Sequence, residues 1–134
     1  MTRSIRVFLL IEASSFATAA LVHFGVLTHG YEHHAAGTAE SVIAVVLLLG
    51  FALSWSPLAY TRALGLAAQA FALLGTLIGV FTIAIGVGPR TLPDIAYHSV
   101  IVAALVAGLI VAARAPVAGS GSARTPKPAA RSSR

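Results

Sequence analysis

Residues 7–27 read VFLLIEASSFATAALVHFGVL. A helix that crosses a lipid bilayer needs about 20 mostly apolar residues. This stretch supplies them, with Glu12 and His23 as its only ionisable interruptions. Arg3 and Arg6 ahead of an apolar run, with small residues at 17–19, also outline a cleavable leader. Glu12 breaks the apolar centre such a leader needs, and the apolar run continues past Ala19, so a retained helix is the better reading.

Three more stretches have the same character: 39–57, stopped at Pro57; 63–87, where Gln69 is the one strongly polar residue; and 94–113. In lipid each span must satisfy its own backbone, which selects helices over strands. The links are short, so consecutive helices are expected as antiparallel neighbours. The expectation is therefore an all-α integral membrane four-helix bundle over residues 1–114. Composition agrees. Only 10% of the 134 residues are charged and 57% are hydrophobic, against about 25% charged in soluble domains, and mean hydropathy is +0.89. A chain this short cannot bury that much apolar surface in an aqueous core. Cysteine is absent, which removes disulfides, thiolate metal sites and iron–sulfur clusters.

Arg3, Arg6, Arg62, Arg114, Arg124, Lys127, Arg131 and Arg134 fall on one side of the four spans, and Arg90 alone falls on the other. The positive-inside rule then places both termini in the cytoplasm. Trp55 and Tyr60 fall at the inner interface and Tyr31 and Tyr97 at the outer, as an aromatic belt requires. The segment 115–134, APVAGSGSARTPKPAARSSR, has too little apolar surface to fold and is expected to be a disordered basic tail drawn to anionic lipid. It has no aromatics to stack on bases, so nucleic acid is not an expected partner despite the net charge of +5. Arginine over lysine at eight to one, with abundant alanine, points to a bacterial plasma membrane.

Two sets of polar residues lie within this scheme. Glu12 is six residues after Arg6 and Gln69 seven after Arg62, which puts both roughly 9–11 Å along their helices. Intramembrane carboxylates are costly and face a partner inside the bundle. Glu12 is thus expected to hydrogen-bond Gln69, or to reach Arg62, either as a clasp or as a proton carrier. The second set is the HFGVLTHGYEHH run of 23–34 with its four histidines. The topology gathers all five histidines, His23, His29, His33, His34 and His98, with Glu32, Glu40 and Asp94 on the outer face. Eleven residues separate Glu12 from His23, about 20° from whole turns, so both face the interior together. Thr91-Leu-Pro-Asp94 has the form of a capping box opening the fourth helix.

Three readings of the cluster follow. A divalent metal could take His23, His98, one or two of His29, His33 and His34, and Glu40, with Asp94 orienting His98. Haem b could sit between His23 and His98. Or the histidines only make interhelical hydrogen bonds near water. Gly75 and Gly79 form a GxxxG, and Ala104 and Gly108 repeat its spacing, which lets helices approach closely within the chain or between chains. No nucleophile–base pair or phosphate loop stands out, so the expected role is non-catalytic: an accessory or assembly component with an outer metal or haem pocket. The alternatives are a transporter-like or proton-handling subunit using Glu12, and a purely structural packing partner for another membrane protein or a second copy.

Overall fold

The computed structural model describes residues 2–55 and 60–116. Pro57 and most of the expected tail lie outside them. The described residues form four helices and no strand: α1 (Thr2–His23), α2 (His34–Leu53), α3 (Thr61–Ala84) and α4 (Leu92–Ala113). Each is long and apolar enough to cross a membrane, which is the pattern of a multi-pass membrane protein.

The boundaries differ from the hydropathy reading in an informative way. Helix α1 begins at Thr2, before the apolar run, and takes Arg3 and Arg6 into its first turns. It stops at His23, four residues before the run ends. Gly25 (φ 73°) is the cause: its amide donates to the Val22 carbonyl, and that of Val26 to Leu21. This closure needs a left-handed residue, which glycine supplies without steric cost. Helix α3 ends the same way at Gly86 (φ 85°), with Gly86 donating to Ile83 and Val87 to Thr82. Hydropathy marks what lipid will accept, whereas backbone capping decides where the helix stops.

The core is a thin apolar column. Ile5, Leu9, Ala13 and Phe16 of α1 meet Ile43, Ala44 and Leu47 of α2, Ala68 and Ala72 of α3, and Ile101, Leu105 and Ala112 of α4. Many larger apolar side chains point outwards instead; Ile11, Leu49, Leu74, Phe81 and Val100 are all more than half exposed. Exposed bulky apolar side chains suit lipid, where close backbone approach at small residues such as Ala13, Ala68, Ala72 and Ala112 rather than water exclusion drives packing.

Glycines mark the closest approaches. A Cβ on Gly65 would lie 2.5 Å from Ile5 Cγ2, and one on Gly50 2.9 Å from the Ala68 methyl. A Cβ on Gly75 would lie 2.9 Å from Ile43 Cδ1 and one on Gly79 3.3 Å from His98 Nε2, so these two glycines of α3 make room for contacts within the chain. Ala104 packs against the same core.

The arginine end of the bundle is fastened by side chains. Arg6 donates from Nε to Ser54 Oγ (3.1 Å) and from its guanidinium to the Ser54 carbonyl (2.6 Å), and it lies 4.1 Å over the Trp55 ring. Thr61 donates to the same carbonyl at 3.2 Å. Arg62 reaches the Ala113 carbonyl at 3.2 Å rather than Glu12.

Gly65→Ala should destabilise the bundle by about 1–3 kcal/mol, the usual cost of overpacking. A Cβ on Gly37 would meet the edge of the Phe24 ring at 3.1 Å; Phe24 is partly exposed and can shift, so Gly37→Ala should be neutral or stabilising, because alanine gains about 0.5–1 kcal/mol over glycine in a helix. Thermal unfolding of both variants in detergent checks the contrast.

Candidate functional site

The turn at Gly25 leaves His23 as the last residue of α1, with its ring 3% exposed. The chain returns through residues 24–33, and the His33 amide donates to the His23 carbonyl at 2.9 Å. His33 then caps α2, its Nδ1 accepting from the Ala36 amide at 3.1 Å. Glu40 follows on the buried face of α2. At the start of α4, Thr91 and Asp94 form a reciprocal capping box. Asp94 Oδ2 accepts from the Thr91 amide and hydroxyl, leaving Oδ1 free to turn inwards.

These three starts and stops converge on one imidazole. His23 Nδ1 lies 2.7 Å from Glu40 Oε2, and Nε2 lies 3.2 Å from Asp94 Oδ1. Glu40 is 5% exposed and Asp94 7%. The result is a buried carboxylate–imidazole–carboxylate array drawn from α2, α1 and α4. Both ring nitrogens face an oxygen, so a proton on either is shared with a carboxylate.

Two cavities flank the array. A cleft of about 850 Å³, walled mainly by α1 and the start of α4, has His23, Asp94 and Tyr97 among its lining residues and extends along α1 to Leu10. Its hydroxyls are spent on their own helix: Ser14 donates to Leu10, Ser15 to Ile11 and Thr18 to Ser14. A second cavity of about 210 Å³, with Glu40, His33, His98, Thr76 and Thr82 in its lining, lies among α2, α3 and α4. His23 and Asp94 thus border one space and Glu40 the other.

The remaining histidines do not join the array. The His29 side chain is 90% exposed and pairs with Glu32 at 3.2 Å. The Glu32 carboxyl is held below the usual carboxylate range by its own backbone amide and that of Gly30, with His29 adding to them. His34 is exposed and packs on the Phe24 ring, 5.9 Å between centroids. His33 stands edge-on to His23 at 6.4 Å. His98 Nδ1 donates to the Asp94 backbone carbonyl at 2.8 Å.

The arrangement lends the ligand expectation no support. The described residues contain no group of three His, Asp or Glu side chains placed to hold a metal ion. Both nitrogens of His23 are engaged by carboxylates, so the structure offers no free His23 nitrogen in support of paired haem ligation with His98. Asp94 also differs from its expected part. Its backbone, not its carboxylate, orients His98, and the carboxylate goes to His23. The capping box carried that signal, because it leaves one carboxylate oxygen without a local partner. Tyr97, whose buried hydroxyl has no partner among the described residues, was missed because a tyrosine near a span end reads as an interfacial anchor.

Deeper in the bundle, Gln69 Nε2 donates to both oxygens of Glu12, at 3.2 and 3.1 Å, with both residues fully buried. Gly108 of α4 makes room for this pair. A Cβ there would lie 2.1 Å from Gln69 Nε2 and 2.7 Å from Glu12 Oε1. Glu12 borders neither cavity.

No protein-family model, curated protein or solved structure matches the chain.

Gln69→Leu leaves the Glu12 carboxyl buried without its donor and should cost about 1–3 kcal/mol. Glu12→Leu with Gln69→Leu removes both polar groups and should recover most of that loss. A double-mutant cycle on unfolding in detergent reads the difference, and Gly108→Ala should resemble Gln69→Leu.

Proposed function

We propose that this chain is a proton-handling, non-catalytic subunit of a bacterial plasma membrane. Its working part is the Glu40–His23–Asp94 array. One observation carries the reading: a buried imidazole with each ring nitrogen against a carboxylate from a different helix. Intramembrane ionisable groups are costly and mark relays or ligand sites, and this geometry suits a relay.

Charge counting shows why. Two carboxylates with one imidazolium carry a net charge of −1. A neutral imidazole with one protonated carboxyl carries the same charge, whichever carboxyl holds the proton. All three distributions keep both contacts, so a proton passes from Glu40 through His23 to Asp94 without breaking the array. The two cavities give each terminal carboxylate its own space. Glu12, clasped by Gln69 and away from both cavities, serves packing in this reading, so the proton-handling part moves from Glu12 to the array.

The proposed topology has antiparallel neighbouring helices, cytoplasmic termini and the histidine end outside. The distribution of arginines supports it. So do the contacts of Arg6 near the start of α1 with Ser54 at the end of α2, and of His23 at the end of α1 with Glu40 near the start of α2. A metal or haem pocket finds less support, because the histidines do not converge. Docking of another protein through Gly75 and Gly79 is disfavoured by their contacts within the chain.

Infrared difference spectra against pH, on protein reconstituted in lipid, test the relay. The carboxyl and imidazole bands should change together, and Glu40→Gln, Asp94→Asn or His23→Asn should each remove the linked change. If Glu40→Gln and Asp94→Asn each remove only their own band, the groups titrate independently and the relay is wrong.

A further inference from the structure

The smaller cavity carries chemistry that the relay does not use. Glu40 engages His23 through Oε2, while its buried Oε1 has no partner among the described residues. His98 presents Nε2 beside Gly79, where even a methyl group would crowd it at 3.3 Å. Its Nδ1 faces a carbonyl and must carry a hydrogen, so in the neutral ring Nε2 is a lone pair. Thr76 and Thr82 have donated their hydrogens to the Ala72 and Gly79 carbonyls, each at 2.7 Å. Their oxygens keep lone pairs only. His33 offers the one ring donor, since its Nδ1 accepts from Ala36 and Nε2 therefore holds the hydrogen of the neutral ring.

The polar lining is thus a set of acceptors around a carboxylate, with Phe16 and Ile43 as apolar wall. We propose that this cavity binds a small hydrogen-bond-donating cation, ammonium or a short primary alkylammonium, held between Glu40 Oε1 and His98 Nε2. A neutral acceptor or an anion would find one donor and a repelling charge. An alkali ion prefers a shell of oxygens and gains little from imidazole, and a divalent metal lacks its third strong ligand. Size agrees: about 210 Å³ accommodates a methylammonium ion with a few waters, each taking roughly 30 Å³. The site uses the Glu40 oxygen that the relay leaves free, so it does not rest on proton transfer through His23.

Titration of methylammonium into nanodisc-embedded protein carrying ¹⁵N-labelled histidine tests the site. The His98 Nε2 resonance should shift saturably, ammonium should compete, and sodium and tetramethylammonium should not. Glu40→Gln should weaken binding by about tenfold or more, the loss expected for one charged hydrogen bond. Gly79→Ala, which leaves the array untouched, should also weaken it by crowding Nε2. Asp94→Asn, which interrupts the relay, should retain binding, so failure of the relay and failure of this site are read separately. No saturable shift, equal binding in Gly79→Ala, or equal response to tetramethylammonium would overturn the proposal.

Discussion

An ionisable side chain buried in a membrane bundle is costly to leave unpaired, and in this bundle the partners come from other helices. His23 is where this constraint acts most strongly. Glu40 and Asp94 stand on separate helices, and each needs the imidazole as much as the imidazole needs them. Removing any one leaves a buried group without its partner, a loss that exceeds the net worth of the contact. The three helix ends are therefore tied together by chemistry as well as by packing. At the other end of α1, Arg6 does comparable work on Ser54 and Trp55.

Between these fastenings the helices are held by closeness. Leu, Ile and Phe fill the centre of the bundle, Gly and Ala line the closest helix approaches, and many other bulky residues face outwards. The two cavities are walled mainly by apolar residues, with His23, Asp94 and Tyr97 in one and His33, Glu40 and His98 in the other. Both cavities therefore reach the protonatable groups at the His23 end of α1. Deeper in, the Glu12–Gln69 pair lies so close to α4 that a glycine at 108 is needed to admit it.

The four helices were legible because lipid demands a length and a composition that few soluble sequences share, and each of the four meets both. Depth was legible too: counting from Arg6 and Arg62 set Glu12 and Gln69 at one level, and Gln69 does donate to Glu12. What hydropathy could not show was where each helix stops, since Gly25 and Gly86 act through backbone conformation and not through polarity. Nor could it show which histidines turn inwards. His29, His33 and His34 carry the same side chain as His23, but an exposed turn, a helix cap and an aromatic contact, in that order, hold them elsewhere. Asp94 has two oxygens with different duties, and only the capping geometry separates them.

The central claim is that His23 lies between two carboxylates inside the bilayer. Solid-state ¹⁵N NMR of histidine-labelled protein in lipid, with His23 assigned from a His23→Asn variant, addresses it most directly. The account predicts that both ring nitrogens are hydrogen-bonded, that neither exchanges rapidly with solvent, and that Glu40→Gln moves Nδ1 while Asp94→Asn moves Nε2. A His23 nitrogen with a free lone pair, or a ring indifferent to both substitutions, would contradict it.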